Sequence, residues 1–303
     1  MDLTGNCSLA PCEFSEVKNE TERLTSIMAS QDVAADKAQE AADHPWVENL
    51  ARGGYAAKGI VYIVIGILAT LAAFGPGGET TDSQGALQTI ASQPFGRLLL
   101  GIVGVGLIGY VLWRVVEGVA DPNDKGTDPK GLFQRLGYVI SGLTYAGLAF
   151  TAFSIALGTG SGGGDSRQDW TARLLEQPFG PWLVGLVGCA IIGVGLWQFY
   201  DAYKAEFREK LDDSKMSQTE KTWVTRIGRV GRTARGITFS MIGAFFIQAA
   251  IQFDPSEAKG LSGALSTLAQ QPFGPWLLGI VAIGLVAYGT FMLARARYEQ
   301  IPR

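Results

Sequence analysis

The sequence predicts an all-α membrane protein: six transmembrane helices, arranged as three tandem two-helix repeats in a pseudo-threefold bundle. Three observations predict this fold class. The chain contains six long apolar runs, a four-residue motif occurs three times, and Lys and Arg are concentrated in alternate segments between the runs. Glycine, at 40 of 303 residues, fits the same class because small residues let membrane helices pack closely.

Each apolar run is long enough to cross a bilayer. About 20 helical residues span a hydrocarbon core of about 30 Å, since a helix rises about 1.5 Å per residue. No Asp, Glu, Lys or Arg falls in the middle of a run, which argues against a proton-coupled transporter. The runs predict transmembrane helices near 56–74, 95–116, 136–157, 178–200, 236–253 and 273–294.

The repeat is marked by the motif Gln-Pro-Phe-Gly, which starts at Gln93, Gln177 and Gln271. The copies are 84 and 94 residues apart, and an Arg-x-Gly pattern opens the apolar run before each copy. Each unit contains two spans, so successive units keep the same orientation and are related by an axis along the membrane normal. We expect the motif proline to start the following helix and a short amphipathic helix to precede each motif.

These units divide the chain into five segments. The first 27 residues are predicted to be disordered, and the polar tail shows no apolar region typical of a cleaved signal peptide. The segments are a polar tail at 1–45, repeat 1 at 46–121, repeat 2 at 122–204, a linker at 205–227 and repeat 3 at 228–298.

Positive charge is sorted between the two sides of the membrane. If all six runs span, 21 of the 25 Lys and Arg residues fall on the side of the N-terminus and four on the other side. Basic residues favour the cytoplasmic side, so both termini are predicted to be cytoplasmic, and the protein is placed in the bacterial cytoplasmic (inner) membrane. The net charge of −3 gives no reason to expect a nucleic acid partner.

Four arginines where the fifth span begins form the first candidate site. They recur at every third residue and are interpreted as nearly one stripe of a helix that enters the membrane. The stripe predicts binding of anionic lipid headgroups, with an anionic ligand or protein partner as the alternative. The residues are Arg226, Arg229, Arg232 and Arg235.

The three motif glutamines, Gln93, Gln177 and Gln271, form the second candidate site. One interpretation is that each caps a helix or bonds a neighbouring carbonyl. The other is a ring of three glutamines that lines an external vestibule.

No catalytic, cofactor or metal site is predicted. The single histidine, His44, lies outside the apolar runs, and Cys7 and Cys12 lack further ligands with which to hold a metal ion. Phosphate-loop, His-Glu-x-x-His and Gly-x-Ser-x-Gly motifs are missing from the sequence. A non-enzymatic protein is therefore predicted.

Small residues recur at matching positions of the second, fourth and sixth spans, Gly104 and Gly188 among them, and predict tight helix contacts. The third and fifth spans are the more polar ones. They would line any solute pathway, with Ser141, Thr144, Thr238 and Gln248 as its walls.

The repeated pattern resembles a known family. Residues 52–62 read Arg-x-Gly-Tyr-Ala-Ala-x-Gly-Ile-Val-Tyr and are followed by Gly-Ala-Leu and then Gln-Pro-Phe-Gly, which is similar to the bacterial integral-membrane domain-of-unknown-function family 1206. The resemblance covers about residues 45–298. Repeat 2 departs from it at Asp169-Trp170-Thr171, and repeat 3 has Arg232 where tyrosine is expected. The resemblance implies six spans in three pairs and no assigned activity.

The favoured function is a structural, scaffold or accessory role in the membrane, exercised through interaction at the cytoplasmic linker. The alternative is a small-solute channel or transporter. A wet pocket in the centre of the bundle would favour the alternative, whereas a centre closed by glycine and aliphatic side chains would favour the scaffold.

Overall fold

The computed structural model of the chain describes residues 45–75, 80–119, 129–159 and 166–300. The polar tail with Cys7, Cys12 and His44 lies outside the described residues, as does the segment 120–128 between repeats 1 and 2. The predictions made for those segments stay predictions.

Six long helices confirm the predicted spans, because each is long and apolar enough to cross a membrane. Each extends beyond its apolar run at one end. Before the third and fifth runs, for example, charged residues continue the helix. The helices are α1 (Pro45–Phe74), α3 (Gly96–Val119), α4 (Pro129–Ala156), α6 (Gly180–Lys204), α7 (Gln218–Gln252) and α9 (Gly274–Tyr298).

In each repeat one short helix connects the two spans. The short helices are α2 (Ser83–Ala91), α5 (Ser166–Leu175) and α8 (Leu261–Ala269). In α2 the Asp82 side chain caps the helix by accepting from the backbone N–H groups of Gln84 and Gly85. The apolar side of α2 is buried against the long helices, and the matching side of α8 is buried in the same way.

The Gln-Pro-Phe-Gly motif forms a tight turn between a short helix and the next long one. In all three copies the glycine N–H donates to the glutamine carbonyl, at 2.7–2.8 Å. The expectation that proline starts the long helix is wrong, because each long helix starts at the motif glycine and the proline occupies the turn. Glycine is required there, since a Cβ at Gly96 would lie 2.3 Å from the carbonyl oxygen of Ala91.

The six long helices form an open ring in the order α4, α3, α1, α9, α7 and α6. The most extensive contacts join the second helix of one repeat to the first helix of the next: α3 to α4, α6 to α7, and α9 to α1. The same contact made three times is the pseudo-threefold arrangement that the sequence predicts. Within a repeat, α1 packs on α3 and α7 packs on α9, but α4 and α6 make no comparable contact.

Glycines bring backbones together where successive repeats meet. A Cβ at Gly59 would lie 2.7 Å from the carbonyl oxygen of Gly289, and a Cβ at Gly195 would lie 2.9 Å from that of Gly236. The third equivalent contact has Val111 in place of a glycine and is looser, at 3.8 Å. Of the small residues predicted to pack, Gly188 makes such a contact, since a Cβ there would lie 2.8 Å from the Gly243 carbonyl oxygen, whereas Gly101 and Gly193 have nothing within 4 Å.

At one end of the bundle, called here the basic end, the C-terminus of α9 is joined to the linker between α6 and α7. Leu211 and Glu299 form an isolated antiparallel bridge, and the Gln300 N–H donates to the Lys210 carbonyl at 2.8 Å. Among the described residues, short 3-10 helices lie in this linker at Glu206–Lys210 and Asp213–Lys215, and one lies at the opposite end of the bundle at Pro255–Glu257.

Candidate functional site

The predicted arginine stripe does not lie on one face of α7. A helix turns by about 100° per residue, so four arginines at every third residue fan across about 180°. Arg226 and Arg229 are exposed, whereas Arg232 and Arg235 turn towards the bundle and are partly buried. The stripe is thus two sites, one on the surface and one inside.

The surface site is a shallow pocket at the start of α7, called here the basic pocket. The helix begins in a capping box, in which Ser217 and Glu220 bond each other's backbone N–H groups. Four cations and two threonine hydroxyls line the pocket: Arg208, Lys221, Arg226, Arg229, Thr222 and Thr225.

Charge in the basic pocket is only partly compensated. The Asp213 carboxylate lies 3.3 Å from Arg208 and 3.8 Å from Lys221. The neighbouring Asp212 caps the second 3-10 turn, and hydrogen bonds from Ser214 and Lys215 lower its pKa to about 2. Of the four cations that line the pocket, Arg208 and Lys221 pair with a carboxylate of the described residues, whereas Arg226 and Arg229 form no ion pair with those residues and are available to an anion.

Arg232 is an internal ion-pair partner, which corrects its assignment to a surface stripe. Its guanidinium pairs with Asp201 of α6 and lies 5.0 Å from the Phe207 ring centroid. Asp201 also accepts from the backbone N–H of Phe207 at 3.0 Å. The side chain therefore ties α7 to α6 and to the linker, and it is not free for a headgroup or partner.

A second set of buried charges joins the start of α1 to the ends of α3 and α9. Arg295 pairs with Glu299, and Arg114 pairs with Glu117 at 2.5 Å. Both guanidiniums donate to the hydroxyl of Tyr55, which is fully buried. Lys210 adds a contact of 3.8 Å to Glu117, and burial lowers the pKa of Lys210 while Glu117 opposes that shift.

Further inside, two cations lie among aromatic rings in what we call the tyrosine cluster. Lys58 Nζ donates to the Tyr110 hydroxyl at 2.9 Å and lies 4.5 Å from the Tyr145 ring centroid. Arg235 donates to the Tyr288 hydroxyl at 2.5 Å. The cluster comprises Lys58, Arg235, Tyr62, Tyr110, Tyr145 and Tyr288.

A sequence signal for these charges existed in the spacing of the motif copies. Offsets of 84 and 94 residues bring Glu117, Asp201 and Arg295 to one position of the repeat. The first helices of the three repeats align at offsets of 83 and 94 residues, which bring Lys58, Ser141 and Arg235 to one position. Without this alignment, the charged residues at the helix ends show no common position in the repeat.

The glutamines of the motif, Gln93, Gln177 and Gln271, are exposed at the end of the bundle opposite the basic end. Their backbone carbonyls accept from the motif glycines, and the Gln271 side chain contacts the Thr267 carbonyl at 3.4 Å. The vestibule stays a prediction.

The four polar residues predicted to line a solute pathway do not share one wall. Thr238 is buried and donates to the Arg235 carbonyl, and Gln248 contacts Glu257 near the opposite end of α7. Thr144 is exposed on α4. Among the described residues, the core of the bundle is largely aliphatic, with Ile65, Leu107 and Leu285 fully buried, and the cations and tyrosines lie towards its basic end.

Comparison with known proteins identifies the repeat. The family model described as Domain of Unknown Function (DUF1206) matches three times, at residues 53–121, 136–205 and 230–299. An uncharacterized protein of Bacillus subtilis (strain 168), YxxB, is 41% identical over 257 residues, which cover 85% of this chain and 93% of the relative. No solved structure matches the chain.

Proposed function

Since this chain belongs to the family described as Domain of Unknown Function (DUF1206), a description that assigns no activity, we propose that it is a non-enzymatic interaction protein of the bacterial cytoplasmic membrane. It acts as a scaffold or accessory subunit whose basic end binds anionic lipid headgroups. The basic pocket carries this proposal, because clustered Lys and Arg beside a membrane helix attract anionic headgroups.

The depth of the pocket supports a lipid ligand. Arg235 precedes the end of α7 at Gln252 by 17 residues, or about 26 Å, which is near the full thickness of the hydrocarbon core. Arg229 lies about 9 Å further out along the helix, at the level of the headgroups. Arg226 and Lys221 continue from there towards water, so one wall of the pocket extends from the headgroup layer into the aqueous phase.

Replacing both Arg226 and Arg229 with glutamine is expected to weaken binding of phosphatidylglycerol to the purified full chain by about 30-fold. Each basic residue near an anionic surface contributes about 1 kcal/mol, and the double variant loses two of them. Titration of the detergent-solubilised protein with phosphatidylglycerol, followed by native mass spectrometry, measures the effect. It should shrink at high salt, which screens exposed charges.

The matched control is the double variant Arg97→Gln with Arg173→Gln, two exposed arginines outside the pocket. It should bind phosphatidylglycerol as the unaltered protein does. Equal affinity for phosphatidylglycerol and phosphatidylcholine, combined with a protein partner that is lost from native membranes in the Arg226/Arg229 variant, would move the assignment to a protein ligand. Robust solute flux in liposomes would replace the proposal with a transporter.

The orientation is proposed with the basic end in the cytoplasm, as the positive-inside rule requires. A cysteine introduced at Thr81 should react with a membrane-impermeant maleimide on intact cells, whereas a cysteine at Ser214 should react only after the cells are opened. Native cysteines are first replaced, since Cys189 is exposed on α6. Protection at Thr81 with labelling at Ser214 would invert the topology.

A further inference from the structure

The two long helices of repeat 2 are separated where those of repeats 1 and 3 are in contact. A Cβ at Gly54 would lie 2.5 Å from the backbone of Tyr110, and a Cβ at Gly231 would lie 2.5 Å from that of Tyr288. At the equivalent Gly137 nothing lies within 4 Å, and the same is true of Gly193 on the facing helix. Repeat 2 therefore keeps the small residues of this contact but leaves an opening between α4 and α6.

Apolar side chains on the wall of this opening are uncovered only in repeat 2. Val103 and Val281 are each 4% exposed, but the equivalent Val187 on α6 is 41% exposed. Trp113 and Phe291 are buried, whereas the equivalent Trp197 is 47% exposed. On α4, Ile140 and Thr144 are exposed where the first and third repeats bury the equivalent side chains.

The two cations of the tyrosine cluster lie on helices beside the opening. Lys58 Nζ is 4.5 Å from the centroid of the Tyr145 ring of α4, and Arg235 is on α7, which packs on α6. Arg114, Arg232 and Arg295 each pair with a carboxylate, but no carboxylate of the described residues lies within ion-pair distance of Lys58 or Arg235. The Arg235 Nε atom is buried without a hydrogen-bond partner among those residues. Repeat 2 supplies Ser141 at the position of these two cations, so the opening and the missing cation occur in the same repeat.

The unpaired cations lie at the depth of one leaflet's phosphate groups. Lys58 precedes the end of α1 at Phe74 by 16 residues, or about 24 Å, and Arg235 lies about 26 Å from the end of α7. Both are therefore close to the boundary of the roughly 30 Å core on the side of the basic end. Lys58 is 4% exposed, and burying a cation without a countercharge is costly, so the two cations form a candidate binding site.

We propose that a phospholipid molecule enters between α4 and α6 and places its phosphate group against Arg235 and Lys58. The charge of the phosphate complements the two cations. The acyl chains lie along the uncovered apolar walls, including Val187 and Ile140, where only lipid-like groups are suited. The Tyr110 and Tyr288 hydroxyls, which already accept from the cations, direct their own hydrogens to the phosphate oxygens.

This site is distinct from the basic pocket, so the two are tested separately. The full chain is purified, stripped of lipid by detergent exchange and titrated with phosphatidylglycerol, and retained phospholipid is counted by native mass spectrometry. The Arg235→Gln variant should lose about tenfold or more in apparent affinity for the tightest-bound phospholipid, because hydrogen bonds to a charged group are the strong ones. The Arg226→Gln with Arg229→Gln variant should keep that phospholipid.

A second variant tests the opening itself and leaves the buried cations unchanged. Gly193→Trp fills open space between α4 and α6, so the protein should fold normally but lose the same phospholipid. Retention of the phospholipid by both Arg235→Gln and Gly193→Trp would overturn the proposal. Stabilisation by inorganic phosphate equal to that by phosphatidylglycerol would also overturn it, since the site would then take a free oxyanion rather than a lipid.

Discussion

Replacing Gly188 with leucine is expected to lower the stability of the folded protein by about 1–3 kcal/mol, the usual cost of overpacking a close contact. A Cβ at Gly188 would lie 2.8 Å from the Gly243 carbonyl oxygen and 3.0 Å from the backbone nitrogen of Ile247. Both obstacles are backbone atoms of α7, so the two helices must separate. Thermal unfolding of the purified protein in detergent and the yield of folded protein measure the change.

The same helix provides the control. Gly193 lies five residues further along α6 and faces open space, so Gly193→Leu should leave the melting temperature of the lipid-stripped protein unchanged. Gly104→Leu should fall between the two, because the nearest obstacle is the Phe153 ring at 3.0 Å, a side chain that is able to move. Equal stability of the Gly188 and Gly193 variants would remove the packing role assigned to Gly188.

Gly137 and Gly193 show which part of the packing could not be predicted from the sequence. Small residues recur in all three repeats, and they correctly predict close helix contacts at some positions, such as Gly188. The same residues do not reveal that repeat 2 is open, because Gly137 and Gly193 match glycines that make contact in repeat 1. Lipid competes with a helix for an apolar face, so composition alone does not determine which of the two covers it.

The positions of the charged side chains were harder to predict than the positions of the transmembrane helices. Six apolar runs and a triplicated motif identify the helices, since length and hydropathy suffice for that purpose. Arg232 illustrates the difference. Its place among arginines at every third residue suggests a surface stripe, yet its side chain points into the bundle and pairs with Asp201. Asp201 lies on another helix, so the ion pair can be predicted only when the three repeats are aligned.

Loss of the Arg295 guanidinium is expected to be the most destabilising charge change in the protein. Arg295 and Glu299 are 6% and 4% exposed, and Arg295→Met leaves the Glu299 carboxylate buried without its ion-pair partner. Removing one member of a buried pair costs about 3–5 kcal/mol, most of which comes from the stranded charge. Melting temperature in detergent is the measurement, and Arg297→Met is the matched control because Arg297 is exposed two residues away.

The double variant Arg295→Met with Glu299→Leu separates a stranded charge from lost packing. With both charges gone, an apolar pair of similar volume should recover most of the stability, as buried ion pairs commonly contribute little net free energy. In that variant the Tyr55 hydroxyl keeps Arg114 as a hydrogen-bond donor but loses the Glu299 carboxylate to which it donates at 3.3 Å, so a part of the loss of stability should remain. If the double variant is as unstable as Arg295→Met, the contribution of Arg295 comes from its packing against the Tyr55 ring, 4.4 Å from the guanidinium carbon.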